Sequence, residues 1–372
     1  MAVAFHDSIW TPWEEPNNDV FIIGAGFSIA TNNKFPNTDA LGTKAARDVR
    51  RRKPEGTDIS VIPKKFTSGN FETYLGQISE DQPYLSTSEN LRNRAVFFEH
   101  TKAVRDIVVD AEQRTDSIPD WFYNFISVCH ARQSKIITLN YDTLIERSIP
   151  ELLLTTANES RNATASDILD GIPPNPKTNA DSLSVVMRSL RLIKLHGSTW
   201  WFWVPTDLTG STIQRIDPQG YRSESSDEFD SERRRLLPGR EPFIIPPISG
   251  KGSLYLNPVI KELWSRASHS LKNAKRIFVV GYSFPLADTG MIGLLQSALS
   301  RLKDYPEVHV IDKTPTQIIE RLQNIGITAT SPFEGASSVK RFADSYTHEA
   351  SKLVVERLRQ QLSVSKPVLP SA

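Results

Sequence analysis

The stretch VFIIGAGFS, residues 20–28, is a short apolar run that leads directly into two closely spaced glycines. Four consecutive apolar residues are typical of a buried β-strand, and Gly24-Ala25-Gly26 predicts a tight turn after it. Such a turn lets the backbone approach a pyrophosphate, and the N–H groups of a following helix favour anions. The full GxGxxG pattern would need a glycine where Ile29 stands, so a turn without a ligand remains open beside nucleotide binding.

Four further apolar runs end in small or polar residues, as the first one does. They are 135–139 before Asn140-Tyr141-Asp142, 192–195 before His196-Gly197-Ser198, 276–280 before Gly281-Tyr282-Ser283, and 308–311 before Asp312. The carboxyl ends of parallel strands line up along one edge of an open sheet, and ligands bind there. The chain is therefore predicted to be an α/β protein with a Rossmann-like, mostly parallel sheet flanked by helices, and with one shared site.

The segments between and around these strands predict the domain organisation. Apolar residues recur at three- and four-residue spacing over about 39–130, so a helical insertion is expected there. Residues 206–241 are polar and lack periodicity, which is typical of a mobile surface loop. The remaining expected parts are an N-terminal extension over 1–19, a main domain over 20–315, a C-terminal segment with a closing helix over 316–362 and a disordered tail over 363–372.

Composition and charge exclude several classes of protein. The 372 residues include 44 basic and 43 acidic side chains, so no strong overall field favours nucleic acid or an anionic membrane. No apolar run approaches the roughly 20 residues that cross a bilayer, and the first 20 residues lack the pattern of a secretory signal. A soluble, cytoplasmic protein without direct nucleic-acid or membrane binding is expected by default.

Metal binding is not expected from the sequence. Cys129 is the only cysteine, which excludes an internal disulfide and a zinc site built from four cysteines. The histidines other than His196 show no metal-ligand spacing.

Four motifs in a fixed order carry a resemblance to a known family. They are GAGFS at 24–28, LNYD at 139–142, KLHGS at 194–198 and VVGYSFPLAD at 279–288. Together they resemble the NAD-binding core of the sirtuins. More closely, the chain resembles the sirtuin-like domains of bacterial antiphage defence proteins, which hydrolyse NAD. The resemblance covers roughly residues 20–315.

The resemblance implies roles for residues at the ends of the predicted strands. The NAD pyrophosphate is expected at Gly24, Ala25, Gly26 and Ser28, the adenosine half at Gly281, Ser283 and Asp312, and catalysis at Asn140, Asp142 and His196. Asp312 also suits this position for a reason that does not depend on the resemblance, because a carboxylate can accept hydrogen bonds from both ribose hydroxyls. Taken alone, Ser28 is better explained as a helix cap.

Cleavage of the bond between nicotinamide and ribose passes through a sugar cation, and two residues suit that chemistry. The amide of Asn140 can donate and accept, which would orient a ribose hydroxyl or the attacking water. An imidazole has an ordinary pKa of about 6.5, so His196 is predicted to be the general base. Asp142 is expected to support Asn140 or to stabilise the cation. Taken singly, a histidine after a strand is more often structural and Asn-Tyr-Asp is a common turn, but their ordered co-occurrence favours function.

Two departures from the family pattern narrow the prediction. Sirtuin deacylases carry a zinc module of four cysteines, which one cysteine cannot build, so no zinc module is expected and protein deacylation is disfavoured. The first motif of the defence-type proteins is closely followed by a glycine and a proline, whereas residues 30–36 here lack the glycine.

Two other features have structural explanations that compete with functional ones. The aromatic run from Trp200 to Trp203 could stack on nicotinamide, but packing in a core is favoured. The basic cluster from Arg47 to Lys53 could meet phosphate or an acidic partner, but a solvated helix end is favoured.

These observations predict an NAD glycohydrolase that yields nicotinamide and ADP-ribose, with NAD as the substrate and no metal. The resemblance implies an abortive-infection antiphage effector that is inactive until triggered. No P-loop or second sensor domain is evident, so a homo-oligomer or a partner defence protein, an ATPase or an Argonaute-type sensor, is expected to provide the trigger. Two alternatives remain open: a non-catalytic module that senses NAD or ADP-ribose and regulates a partner, and an NAD-dependent protein deacylase.

Overall fold

Six parallel strands form the central sheet of the protein. The computed structural model describes residues 18–53, 59–67, 70–115, 117–149, 153–155, 160–162, 168–169, 189–204, 212–215, 239–248, 257–285, 288–300 and 302–364, and the single residues 207 and 255. The strands are β1 (Asp19–Ile23), β2 (Lys135–Thr138), β3 (Leu153–Thr155), β4 (Ser160–Asn162), β5 (Arg191–Lys194), β6 (Gly197–Trp203), β7 (Gln214–Arg215), β8 (Glu241–Ile244), β9 (Arg276–Val280), β10 (Glu307–Asp312) and β11 (Thr330–Glu334).

Helices alternate with the strands of the central sheet. They are α1 (Ala25–Thr31), α2 (Thr38–Arg52), α3 (Asn70–Ser79), α4 (Thr87–Gln113), α5 (Asp120–Ala131), α6 (Leu144–Arg147), α7 (Pro258–Lys272), α8 (Thr289–Leu299), α9 (Pro315–Asn324) and α10 (Ser338–Val364), with a 3₁₀ turn at Ile59–Val61. The described part of the chain includes no helix with the length and apolar character that crossing a bilayer requires.

The order of the strands in the sheet is β11-β10-β9-β1-β2-β5. Every pairing within this sheet is parallel. If these six strands are numbered 1 to 6 in chain order, the order in the sheet is 6-5-4-1-2-3. This order is typical of dinucleotide-binding Rossmann folds, and it reverses beside the first strand. The predicted α/β fold with a Rossmann-like parallel sheet is confirmed.

The central strand β1 is buried on both faces, because helices cover the sheet on each side. Alternate side chains of a strand point to opposite faces. Phe21 and Ile23 join an apolar cluster with α1 to α6 and α10, whereas Val20 and Ile22 join a second cluster with α7, α8 and α9. A strand buried on both sides explains the uninterrupted apolar run in the sequence.

Helices α2 to α5 occupy the region in which the sequence predicts a helical insertion. The longest of them, α4, begins with a capping box in which the side chains of Ser86 and Glu89 each accept a hydrogen bond from the other residue's N–H group. Its last turn lies beside the residues that follow β2, since Glu112 accepts a hydrogen bond from the Thr143 hydroxyl at 2.7 Å. The inserted helices therefore reach the edge of the sheet at which the site is expected.

The sheet extends one strand further than the sequence predicts, because β11 pairs with β10 beyond the expected last strand at 308–311. The sequence of β11, Thr-Ser-Pro-Phe-Glu, contains a proline and only one large apolar residue. Pro332 has no N–H to donate, which an edge strand tolerates. Edge strands exposed to solvent need little apolar sequence, so this one lacks the pattern that identifies the others.

The aromatic run forms part of β6, which pairs with β7 and β8 in a separate antiparallel sheet. Trp201 and Phe202 are each 1% exposed, which supports the packing interpretation. The predicted closing helix corresponds to α10. The predicted extension over 1–19, loop over 206–241 and tail over 363–372 lie mainly outside the described residues.

A buried carboxylate at the start of β1 joins the sheet to α10. Asp19 is 1% exposed and accepts hydrogen bonds from Arg276 Nε and Nη2 at 2.9 and 2.7 Å, and from the Tyr346 hydroxyl at 2.6 Å. Arg132 Nη2 lies 3.5 Å from the same carboxylate. Both guanidinium groups therefore share Asp19 as a buried counter-charge, and each also lies 3.3 Å from the more exposed Glu349.

We predict that Asp19→Asn lowers the free energy of unfolding by about 3 kcal/mol, because it removes the buried counter-charge of both guanidinium groups and leaves them the exposed Glu349. Urea denaturation followed by circular dichroism measures this change. Asp304→Asn, at an exposed position, is the control and should change stability by less than about 0.5 kcal/mol. Equal stability of the two variants would contradict the role of Asp19.

Candidate functional site

A cavity of about 490 Å³ lies at the carboxyl ends of the parallel strands. Its volume is within the range of about 300–1,000 Å³ found for small-molecule sites. Every residue predicted for the site lines it: Gly24, Ala25, Gly26, Ser28, Asn140, Asp142, His196, Gly281, Ser283 and Asp312. Segments that are far apart in the sequence thus meet at one edge of the sheet, as the parallel topology predicts.

The turns after β1 and β9 touch through their backbones at the point where the strand order reverses. The Gly26 N–H donates to the Gly281 carbonyl at 2.8 Å, and Gly24 N–H donates to the Val280 carbonyl at 3.1 Å. A Cβ atom on Gly24 or Gly26 would lie 2.6 Å from a backbone atom of Gly281, which itself has a φ of +60°. The close contact of the two turns therefore explains the presence of these glycines without a ligand, and phosphate binding at this turn stays a prediction.

Asn140 is held by a directed chain of hydrogen bonds. Its Nδ2 donates to the Gly24 carbonyl and to Ser28 Oγ, both at 2.9 Å. Because a carbonyl oxygen only accepts, this contact fixes which end of the amide faces Gly24. The Ser28 hydroxyl in turn donates to Asp142 Oδ2 at 2.6 Å. Both amide hydrogens of Asn140 are thus used within the protein, and the group left for a ligand is the acceptor Oδ1.

This chain of hydrogen bonds bears on the roles expected for Ser28 and Asp142. Ser28 was expected to bind phosphate or to cap α1, but its only hydroxyl hydrogen goes to Asp142, and the helix cap at Gly24 has no side-chain hydrogen bond. Asp142 supports Asn140 through Ser28, which is one of its two expected roles. Its other oxygen accepts from the Leu144 N–H at 3.3 Å, at the start of α6.

His196 lies in the turn between β5 and β6 and is 5% exposed. Its carbonyl accepts from the Ile245 N–H at 2.9 Å, and the Tyr141 hydroxyl donates to the Ile245 carbonyl at 2.7 Å. The next residue, Gly197, has a φ of +78°, and a Cβ there would lie 2.2 Å from the Phe243 carbonyl of β8. Strand β8 therefore packs closely against the turn that carries His196.

The opposite end of the cavity contains the residues expected to hold adenosine. Asp312 Oδ1 accepts from the Thr314 N–H at 2.9 Å. Arg321 of α9 donates to the carbonyls of Ser283 and Phe284 at 2.6 and 3.1 Å, and so holds the loop after β9. Phe284 has a φ of +47°, which is unusual for a residue with a side chain.

Two buried carboxylates, to which sequence analysis assigned no role, also line the cavity, and one of them, Asp288, ends the motif at 279–288. Glu72 comes from α3 in the helical insertion and is 7% exposed, while Asp288 is 4% exposed and accepts from the Tyr282 hydroxyl at 2.7 Å. Burial, and next the negative charge of Asp288, raise the pKa of Tyr282 well above its ordinary value, so this hydroxyl stays protonated and donates. Glu72 has no local sequence signal, because only tertiary packing brings α3 to the sheet edge.

The described residues include no group of three or more histidine, cysteine, aspartate or glutamate side chains placed to hold a metal ion. The aromatic side chains of β6 do not line the cavity either.

We predict that Gly281→Ala lowers the free energy of unfolding by at least about 2 kcal/mol, since the new Cβ would combine a left-handed backbone with a clash against Phe27 N at 2.5 Å. Gly293→Ala is the matched control, because it lies in α8 with open space around it and should gain up to about 1 kcal/mol in helix propensity. Chemical denaturation of both variants measures the difference. A Gly281→Ala variant as stable as Gly293→Ala would show that the two turns do not touch in solution.

The chain was also compared with known proteins. No family model matches it, and no curated protein sequence matches it. A crystal structure of Sir2 in complex with the inhibitor EX-527, 2'-O-acetyl-ADP-ribose and a deacetylated p53 peptide is similar in structure, with 13% sequence identity and a TM-score of 0.42. The similarity covers 90% of this chain and 94% of that one. Values this low do not allow a function to be transferred.

Proposed function

We propose that the protein cleaves NAD to nicotinamide and ADP-ribose. The observation that carries the proposal is the meeting of Asn140, Asp142 and His196 with the glycine turn in one cavity at the reversal of strand order. Open parallel sheets bind dinucleotides at that position. The sequence resemblance to NAD-hydrolysing sirtuin-like domains supports the same substrate.

NAD would lie across the two turns that meet at the reversal point. Its pyrophosphate would lie against the backbone of Gly24-Ala25-Gly26, and a ribose of the adenosine half would lie beside Asp312. The oxygen of Asp312 that accepts from Thr314 leaves the other carboxylate oxygen for ribose hydroxyls. Nicotinamide would then point toward the end of the cavity that contains Asn140 and His196.

The reaction needs an oriented water and a base. Asn140 Oδ1 accepts a hydrogen bond from the attacking water or from a ribose hydroxyl, because both Nδ2 hydrogens are already donated to Gly24 and Ser28. The water oxygen bonds to the anomeric carbon, the glycosidic bond breaks, and its electron pair neutralises the nicotinamide ring. His196 takes the proton that water releases. Asp142 contributes through Ser28 by holding the Asn140 amide in place.

The biological setting belongs to the same proposal. NAD loss stops a cell, so the activity would serve as an antiphage effector in the cytoplasm that stays inactive until triggered. Self-assembly, or a partner such as an ATPase or an Argonaute-type sensor, would supply the trigger. An NAD assay run over a range of protein concentrations and with candidate partners tests whether self-assembly or a partner triggers the activity.

We predict that His196→Ala and Asn140→Ala each reduce NAD hydrolysis by at least about 10²-fold under conditions in which the wild type is active. Release of ADP-ribose, followed by chromatography, measures the rate. His269→Ala and Asn324→Ala, both at exposed positions, are matched controls and should retain wild-type rates. Equal NAD loss in the wild type and Asn140→Ala would refute the proposed mechanism.

The same assay separates the alternatives. Turnover that depends on an acetylated peptide would indicate a deacylase. Binding of NAD or ADP-ribose without turnover, at every protein concentration and with every partner tried, would indicate a sensing module.

A further inference from the structure

Glu112, in the last turn of the inserted helix α4, contacts both segments that carry the predicted catalytic pair. It is 4% exposed. Its Oε1 accepts from the backbone N–H of Thr143 and, at 2.7 Å, from the Thr143 hydroxyl. Its Oε2 lies 3.2 Å from the Thr199 hydroxyl, whose single hydrogen it shares with the Tyr141 carbonyl, also at 3.2 Å. One carboxylate therefore bridges the segment after β2 and the strand β6.

The two threonines occupy equivalent places relative to the catalytic residues. Thr143 is three residues after Asn140, and Thr199 is three residues after His196. The segments also contact each other directly, since the Thr199 N–H donates to the Tyr141 carbonyl at 3.1 Å. Glu112 therefore adds a side-chain link between two segments that a backbone hydrogen bond already joins.

We propose that Glu112 is a positioning residue that keeps Asn140 and His196 at a fixed spacing, an inference whose kinetic consequences rest on the proposed NAD cleavage. The carboxylate acts through Thr143 and Thr199 and does not line the cavity itself. The helical insertion thereby contributes to the chemistry of a site that the parallel sheet forms.

Charged groups around Glu112 make this contact sensitive to protonation. The Lys194 ammonium is 1% exposed and donates to the Asp142 carbonyl at 2.5 Å and to Glu146 at 2.8 Å. Arg147 donates to the backbone carbonyl of Glu112 at 3.0 Å. Burial first, and then the negative charge of Asp142, raise the pKa of Glu112 to about 7, against the opposing effects of Thr143 and Lys194. A buried carboxylate in this position opposes folding, because burial penalises its charged form.

Glu112→Gln tests the proposal, because glutamine keeps the length of the side chain but replaces one acceptor with an N–H donor. Its single amide oxygen can accept from Thr143 or from Thr199 but not from both, and its amide nitrogen can only donate to the Thr199 hydroxyl, whose own hydrogen must then go to the Tyr141 carbonyl. We expect kcat for NAD cleavage to fall by about 10²-fold, as small misplacements of catalytic groups do, while KM changes by less than about threefold. Thr199→Val should also lower kcat, because it removes the hydroxyl that faces both Glu112 and the Tyr141 carbonyl.

Glu99→Gln, on the same helix and without such a contact, is the control and should retain the wild-type kcat. A kcat of Glu112→Gln within about twofold of the wild type would overturn the proposal. If Glu112→Gln does not fold, Thr199→Val provides the test by itself, because an unchanged kcat of that variant would also overturn the proposal.

Hydrogen exchange separates this inference from the proposed function. In Glu112→Gln we expect amide exchange over residues 139–149 and 195–203 to speed up by about tenfold relative to the wild type and Glu99→Gln. This readout does not need turnover, so it still tests the bridge if the wild type leaves NAD intact at every protein concentration and with every partner tried, the result that would refute NAD cleavage. Unchanged exchange in both segments would overturn the bridge.

The stability of the protein should show a matching dependence on pH. Because the pKa of Glu112 is raised above its ordinary value, the folded chain retains a proton between about pH 4.5 and about pH 7 that the unfolded chain has released. The free energy of unfolding of the wild type therefore falls relative to Glu112→Gln as pH rises through this window, and the difference is constant above it. Urea denaturation at about pH 5 and about pH 8 measures the effect. A difference that does not change with pH would show that Glu112 is not buried in solution and would overturn the bridge.

Discussion

The backbone of the turn after β1 lies directly against the backbone of the turn after β9. This contact is too close for side chains at Gly24, Gly26 or Gly281, and a hydrogen bond of 2.8 Å from Gly26 to Gly281 joins the two turns. It lies where the strand order reverses, so it forms one wall of the cavity. Asn140 donates to the carbonyl of Gly24, and the Ser28 and Asp142 side chains continue that chain of hydrogen bonds. The geometry of the candidate site thus depends on two glycine turns that must meet without side chains between them.

The inserted helices contribute two buried carboxylates to the region of the candidate site. Glu72 lines the cavity, and Glu112 joins Thr143 to Thr199 below it. Burying carboxylates opposes folding, and the raised pKa of Glu112 reflects that opposition. The apolar packing of α2 to α5 against the sheet offsets the loss, since these helices contribute to the larger apolar cluster. The insertion accordingly stabilises the fold through its apolar face and shapes the candidate site through its acidic residues.

Sequence reasoning was most successful at the ends of buried strands. Mostly apolar runs followed by glycine or polar residues identified five of the six parallel strands, and the topology of such sheets brings their ends together. It missed β11, because a strand at the edge of the sheet needs no continuous apolar run and tolerates Pro332. It also missed Glu72 and Glu112, whose helical surroundings give no local sign that their carboxylates face a site on another part of the chain.

The sequence by itself determined five of the six strands of the parallel sheet, the residue types that follow them and the edge that these residues share, because strand formation and tight turns depend on neighbouring residues. Only the tertiary structure decided what those side chains do there. It assigned both amide hydrogens of Asn140 to Gly24 and Ser28, and it joined Glu112 to Thr199 across 87 residues of sequence. The direction of a hydrogen bond and the burial of a charge depend on groups brought together by packing, and no local pattern contains that information.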